Sequence, residues 1–377
     1  MLETAYVSQD IAQEKILVAV SGGSDSLALL YHLHEQHQPG CLFAATVDHG
    51  LRPEAAQEAQ VVAEHCSRLN IPHAILSWKG GEAKQDAARE ARFRLLVEQA
   101  RKISATKIAL GHTMDDQAET LIMRAARVQS RSSTRGLSGI PMAASYEGIQ
   151  IIRPLLFSKR AELRRSLQKK RIDWADDPSN ENPKYERVRI RQTIATSARC
   201  SGDLPSIEQL SRLAALSSRS RAWLSGQTAQ HLKDHANFDG KAIVINPPED
   251  TPIKILSDMI AFAILAMGGQ TYRTSSDKYE NALKDWKAGK STQVNAGRAL
   301  ISFRKSGIRI TREKRNIPSV PSNPQANETY DNRFRFLKTN GSIETKTFIV
   351  ALERFRPASD DAVYQSLNHL MAHSRST

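Results

Sequence analysis

The sequence predicts an α/β fold: a parallel twisted sheet with helices on both faces, followed by a helical region and a small β-rich C-terminal unit. Three observations predict it. Residues 15–157 alternate short β-branched or apolar runs with amphipathic helical patterns, as β-α-β units with right-handed crossovers do. Residues 203–288 are mainly helical in pattern, interrupted by Pro247, Pro248 and Pro252. Residues 291–337 carry short strands separated by Gly, Asn and Pro. At 377 residues the chain exceeds one typical domain. The expected division is 1–200 for the α/β domain, 201–288 for the helical region and 289–377 for the β-rich region with its tail.

Along the first domain the expected strands are KILVAV (15–20), CLFAATVD (41–48), PHAILSW (72–78), KIALGH (107–112) and GIQIIRP (148–154). Residues 25–37, 54–69, 85–104 and 114–127 place apolar side chains at helical spacing, for example Val61, Val62, Cys66 and Leu69. Open parallel sheets bind ligands at the carboxyl ends of their strands. SGGSDS, DHGLR and GHTMDD all fall at such ends, which points to one shared site.

SGGSDS (21–26) runs from a strand directly into a helix. Gly22 and Gly23 permit positive φ, so that successive N–H groups can aim at an anion, and the helix N-terminus adds its dipole. Ser21, Ser24 and Ser26 can donate to phosphate oxygens, and Asp25 can hold a magnesium ion. The plainer alternative is a polar capping loop with Ser24 or Asp25 as N-cap. The chain has neither G-x-x-x-x-G-K-[ST] nor G-x-G-x-x-G here, so this is not a kinase-type P-loop or a dinucleotide fingerprint.

DDQAET supplies Asp115, Asp116 and Glu119, of which Asp116 and Glu119 share a helix face at i and i+3. Two carboxylates near a phosphate loop would repel a triphosphate unless a cation lies between them, either magnesium or a substrate ammonium. An ordinary acidic first helical turn is the alternative. In DHGLR (48–52), Gly50 permits close approach of a flat ring, and Arg52 can reach phosphate or RNA.

Residues 153–191 hold twelve Lys/Arg against six Asp/Glu and read as an RNA-facing surface. Arg187, Arg189 and Arg191 alternate at period two and would share one face of an extended segment. The whole chain has 53 Lys plus Arg against 40 Asp plus Glu, a net charge of +13, which favours a polyanionic partner through counterion release. In the C-terminal unit, Arg304, Lys305, Arg309, Arg312, Lys314 and Arg315 are expected to extend that contact. Cys41, Cys66 and Cys200 are widely spaced, without C-x-x-C, as in a reducing cytoplasm. No apolar run reaches bilayer-spanning length and no basic n-region precedes an apolar core, so neither a membrane span nor a signal peptide is expected.

SGGSDS after a strand resembles the PP-loop of the N-type ATP pyrophosphatases, a Rossmann-like superfamily that cleaves ATP between its α and β phosphates and transfers AMP. VDHGLRPEAAQEAQVVAEHC (47–66), ALGHTMDDQAETLIMRAAR (109–127), RGLSGI (135–140), IIRPLL (151–156) and DDPSNENPKYERVRIR (176–191) narrow the match. In order and spacing they resemble the tRNA(Ile)-lysidine synthase family over about residues 14–195. TREKR (311–315) and YDNRFRF (330–336) look like that family's C-terminal region.

The resemblance implies ATP-dependent ligation of L-lysine to C2 of the wobble cytidine in AUA-decoding tRNA(Ile), which has a CAU anticodon. The reaction proceeds through an adenylated cytidine and yields lysidine, AMP and pyrophosphate. By the same resemblance Ser21, Gly22, Gly23, Ser24, Asp25 and Ser26 bind ATP, with Mg2+ on Asp25. Asp116, Glu119, Arg187 and Arg191 serve lysine and tRNA, and Asp25, Asp116 and Glu119 are the catalytic set. Three departures stand out: Thr113 replaces the family's second histidine, RVQSRSSTRG (127–136) replaces a shorter glycine-rich loop, and Val188 replaces an Asn. The rival readings are a PP-loop tRNA thiolase, disfavoured because Cys41 lies in an expected strand and Cys66 in a helix, and a tRNA-binding module that has lost catalysis.

Overall fold

The structure is a computed structural model that describes residues 14–48, 54–78, 85–127, 137–175, 182–199, 204–270, 273–315, 317, 329–331, 334–339, 342–346 and 356–372. Cys200, residues 49–52 of DHGLR and residues 128–136 of the departing loop lie outside the described residues. The chain divides into two compact units, Met1–Arg219 and Ser220–Thr377.

In the first unit β1 (Ile16–Ala19), β2 (Leu42–Asp48), β3 (His73–Ser77), β4 (Lys107–Leu110), β5 (Ala143–Tyr146) and β6 (Ile149–Ile152) form a sheet in the order β5-β6-β4-β1-β2-β3. Strand β1 is parallel to both neighbours, with Ile16 opposite Leu42 of β2 and Lys107 of β4. All four β1 residues are buried, as a central parallel strand covered on two faces requires. Ile16 and Val18 pack with Leu27, Leu30 and Leu33 of α1 (Ser24–His34), Val62 and Cys66 of α2 (Glu54–Arg68), and Leu163 and Leu167 of α5 (Arg160–Lys169). Leu17 alternates to the opposite face, where α3 (Gln85–Lys102) packs on β1, β2 and β4 through buried Leu96, Val97 and Ala100. The expected parallel sheet with helices on both faces is therefore present.

The chain runs from β1 outward to β2 and β3, then crosses back to β4 on the other side of β1. The carboxyl ends of β1 and β4 consequently flank the point where strand order reverses, which is where open α/β sheets leave a crevice. SGGSDS follows β1 and GHTMDD follows β4. Strand β5 was not expected; it joins β6 antiparallel through a two-residue loop, Glu147-Gly148, with both φ values positive (49° and 84°).

The second unit contains an antiparallel sheet in the order β7-β8-β11-β10-β9: β7 (Ala236–Phe238), β8 (Ala242–Ile245), β9 (Thr292–Ala296), β10 (Ala299–Arg304) and β11 (Gly307–Arg312). Helix α8 (Ile253–Gly268) is apolar on nearly every side and buried, so it is the centre of this unit's core rather than a surface helix. Strands β7 and β8 come from the stretch expected to be helical, and β8 pairs with β11, so helices and strands share one core. A three-stranded sheet, β12 (Thr329–Tyr330), β13 (Phe334–Thr339) and β14 (Ser342–Lys346), and helix α10 (Asp361–Ala372) complete the unit. Arg312 corrects one expectation: it is buried, its guanidinium bonded to Asp331 at 2.8 and 3.0 Å, so it is no part of an RNA-facing surface. Arg304, Lys305, Arg309, Lys314 and Arg315 are exposed.

Candidate active site

Gly22 adopts φ +84°, and the loop then enters α1 with Gly23 as N-cap and no side chain capping the helix. Neither Ser24 nor Asp25 is the N-cap, contrary to the plainer reading of the motif. An uncapped helix start leaves the first-turn N–H groups of Ser24, Asp25 and Ser26 without intrahelical acceptors, the arrangement that receives an anion. The Ser26 hydroxyl accepts from the Ser21 N–H (3.1 Å) and donates to the Gly23 carbonyl (3.0 Å), so in this structure it shapes the loop from within. Ser24 donates to Asp25 Oδ1 and accepts from Arg164 Nε at 3.1 Å. Gly111, at the end of β4, abuts α1 so closely that a Cβ there would lie 3.0 Å from the Asp25 carbonyl oxygen. That contact fixes the second motif against the first.

Helix α4 (Met114–Ala126) is capped by Thr113, which accepts from the Asp116 N–H while the Asp116 carboxylate accepts from the Thr113 N–H at 2.8 Å, a capping box. The residue that departs from the family pattern thus starts the helix. Asp115 caps the neighbouring helix, accepting the Arg160 N–H at 2.8 Å. Asp116 and Glu119 turn to the same side, as their spacing predicts, and converge on one cation. Arg160 donates to Asp25 Oδ2 (2.8 Å) and Asp116 Oδ1 (3.2 Å) and lies 3.6 Å from Glu119 Oε1. Arg191 donates to Glu119 Oε1 at 2.8 Å, and Arg187 donates to Thr120 within 4.0 Å of both carboxylates.

Burial pushes the Asp25 carboxyl above its ordinary value despite Arg160. Burial also works against charge on Asp116, but its surroundings, Arg160 foremost, outweigh it and hold that carboxyl below the usual range. The three carboxylates in turn raise the Arg160 guanidinium against its own burial. Glu119 is buried, with Oε2 lacking any hydrogen-bond partner.

These groups surround a cavity of about 890 Å³ lined by the SGGSDS loop, His112, Asp116, Arg92, Arg160, Arg187 and Arg191, with Tyr185 among its walls. Glu119 sits behind that surface, under the arginines. The expectation of an extended 187–191 segment is overturned: α6 (Glu186–Arg199) is helical and packs on α4. Arg187 and Arg191, at i and i+4, face the carboxylates, whereas Arg189 turns back to the Pro183 and Lys184 carbonyls. The basic stretch is also not uniformly outward, since Arg153 is buried and Arg160 points into the site.

Arg92, His112, Arg153 and Arg160 were missed by the motif reading. Arg153 follows β6 and His112 follows β4, so the strand-end rule could have found both. Arg92 lies four residues before the buried Leu96, a cation on a core-facing stripe. A magnesium ion is compatible with these residues: it ordinarily takes one or two carboxylates plus substrate phosphates, and Asp25 is a half-buried carboxylate in the cavity wall beside the open helix start. Among the described residues no cluster of three or more His, Cys, Asp or Glu could hold a metal ion unaided. Cys66 is buried in α2, its thiol pushed up to about 12 by burial, which makes it a poor sulfur nucleophile. No helix among the described residues is long and apolar enough to cross a membrane.

Comparison with known proteins agrees with this geometry. A PP-loop domain matches residues 2–198. The chain is 36% identical over 364 residues to a tRNA(Ile)-lysidine synthase of Rhizobium meliloti (strain 1021), covering 92% of this chain and 78% of that protein. It is 36% identical over 310 residues to the synthase of Ruegeria pomeroyi (80% and 72% covered) and 30% identical over 417 residues to that of Bartonella tribocorum (93% and 82% covered). Among solved structures, a U34-tRNA thiolase from Methanococcus maripaludis is similar over 55% of this chain and 75% of its own, with 17% identity and a TM-score of 0.44. The matches to the synthases extend well past the PP-loop domain into the second unit, and so this chain belongs to the tRNA(Ile)-lysidine synthase family.

Proposed function

We propose that this chain joins L-lysine to C2 of the wobble cytidine of tRNA(Ile) bearing a CAU anticodon, at the expense of ATP. The observation that carries the reading is the shared cavity: an uncapped helix start that suits phosphate lines the same space as the Asp25 and Asp116 carboxylates, which suit a cation. In the first step the cytidine O2 attacks the α-phosphorus of ATP. The new O–P bond forms, the bond to the β-phosphate oxygen breaks, and pyrophosphate leaves. In the second step the lysine ε-amine attacks C2, the C–N bond forms, and the C2–O bond breaks with AMP as leaving group. Adenylation thereby converts a poor leaving oxygen into a good one.

The chain's residues supply position and charge. The loop 21–26 receives the phosphates, with Arg164 and Arg160 beside it. Asp116 on the wall, and Glu119 behind it, draw the lysine ammonium, and Glu119 Oε2 is free to accept a hydrogen bond. Tyr185, nearly half exposed in the cavity wall, offers a face on which an unstacked base can rest. A magnesium ion held by Asp25 would screen the phosphate charge. Arg187 and Arg191 take part in both lysine and RNA contact.

Pyrophosphate and AMP release, each followed with and without lysine, test the reading. With ATP and tRNA(Ile) alone, pyrophosphate should appear and AMP should remain on the RNA; lysine should release AMP. Pyrophosphate release without tRNA, or tRNA binding with neither product, would contradict it.

A further inference from the structure

Arg153 directly follows β6 and is buried, about 2% exposed. Its Nε lies 3.2 Å from His112 Nδ1, and its Nη1 donates to the Pro141 carbonyl at 2.8 Å. A guanidinium has donors only, so Nδ1 must present its lone pair. The single proton of a neutral imidazole then has one place left, on Nε2. His112 lines the cavity, and its Nε2 has no partner among the described residues.

The surroundings keep the ring neutral. Arg153, Arg92 on α3 and Arg187 on α6 oppose a positive charge there, and Asp116 on α4 favours one. Burial and Arg153 prevail and push the imidazole down to about 3. His112 also follows Gly111, whose backbone abuts Asp25 and Ser26 at the start of α1. The ring therefore stands beside the loop that receives phosphate.

We propose that Arg153 is a positioning residue that holds His112 in its Nε2–H tautomer, so that His112 is a fixed hydrogen-bond donor to a phosphoryl oxygen of the bound nucleotide. His112 is then not the base that deprotonates a substrate. A donor oriented before the substrate arrives needs no reorganisation as charge shifts onto phosphoryl oxygens. The nucleotide part rests on the function proposed above; the tautomer does not.

Long-range proton–nitrogen spectra of the full-length protein, labelled with 15N-histidine, read the tautomer directly. His112→Gln assigns the signal. The expected spectrum has a pyridine-like Nδ1 and a pyrrole-like Nε2 that do not titrate between about pH 5 and 8. An Nδ1–H tautomer or an imidazolium at neutral pH would overturn the proposal, and this holds even if Arg153 variants fail to fold. In Arg153→Met the ring should sample both tautomers and its pKa should rise, while burial, Arg92 and Arg187 still hold it below the ordinary value, so that any acid limb of the adenylation rate moves to higher pH than in the parent. His112→Ala should slow adenylation by about 100-fold, and His112→Gln, which keeps an N–H at similar reach, should recover most of that loss. With a non-hydrolysable ATP analogue bound, as verified by calorimetry, the Nε2–H resonance should move. An unmoved resonance under proven binding would overturn the donor role while leaving the ATP reading intact.

Discussion

Glu119 is the residue whose environment says most about its task. One carboxylate oxygen is bonded to Arg191, the other is buried without a hydrogen bond, 3.9 Å from the Arg187 Nε, and neither lies on the open surface. Burying an acceptor without a donor costs on the order of 1–3 kcal/mol, so the fold retains it against a stability cost. Glu119→Gln should raise the Michaelis constant for lysine roughly tenfold or more, the scale of a lost charge-assisted hydrogen bond. Adenylation measured alone should suffer less; equal loss in both steps would instead place Glu119 on the magnesium ion. Asp25→Ala should abolish pyrophosphate release while tRNA binding, measured by filter retention, stays within a few-fold. His112 adds a pH dependence. Its folded pKa lies below its unfolded one, so between the two the unfolded chain binds the extra proton and stability falls as pH falls below about 6.5. Between about pH 7.5 and 5.5 this group alone should cost about 1 kcal/mol. In urea titrations at both pH values, His112→Gln should lose correspondingly less than the parent.

Helix α4 joins the two halves of the chemistry, because its cap, its carboxylates and its far side are each tied to a different part of the site. Gln117 holds the backbone of Ile140 at two points, accepting its N–H and donating to its carbonyl, and Arg124 donates to the Gly139 carbonyl. Gly139 has φ +58°, and a Cβ there would lie 2.2 Å from Gln117 Oε1. Gly139→Ala should therefore break the Gln117 clasp and destabilise the first unit by about 2 kcal/mol or more, combining left-handed strain with the clash. Denaturation of the variant checks this, and it should leave the second unit's transition unchanged. Much of this architecture was legible: the parallel strands announce themselves as continuous apolar runs, and the ligand loops as their carboxyl ends. What was not legible is instructive. Period-two arginines at 187, 189 and 191 suit a strand, but Ile190 and Ile194, at i and i+4, pack against Ala118 and Leu121 of α4, and that packing decided the matter. Strand β5 escaped because its turn is Glu-Gly rather than Asn-Gly, and because AASY lacks a β-branched run. Arg160 escaped because a cation in a basic segment gives no sign of the acids that meet it from helices 135 and 44 residues away in sequence.

The net charge of +13 is distributed over a chain whose strongest site-directed cations are already engaged with carboxylates. RNA affinity must then draw on the exposed remainder, including Arg304, Lys305, Lys314 and Arg315 in the second unit. Removing residues from 290 onward does not test this, because β9, β10 and β11 share one core with α8 and their loss would unfold the unit. Replacing those four exposed residues by alanine leaves the core in place. The salt dependence of tRNA binding should then flatten by about 0.7–0.9 in log–log slope for each phosphate no longer neutralised, as measured by filter binding at several salt concentrations; an unchanged slope would remove these residues from the RNA interface. The most direct measurement concerns the product itself. After incubation of the protein with ATP, L-lysine and tRNA(Ile) bearing a CAU anticodon, mass spectrometry of the digested nucleosides should show cytidine lost at the wobble position and lysidine gained in equal amount. A thiolated nucleoside, or unmodified cytidine under conditions where ATP and tRNA are bound, would contradict it.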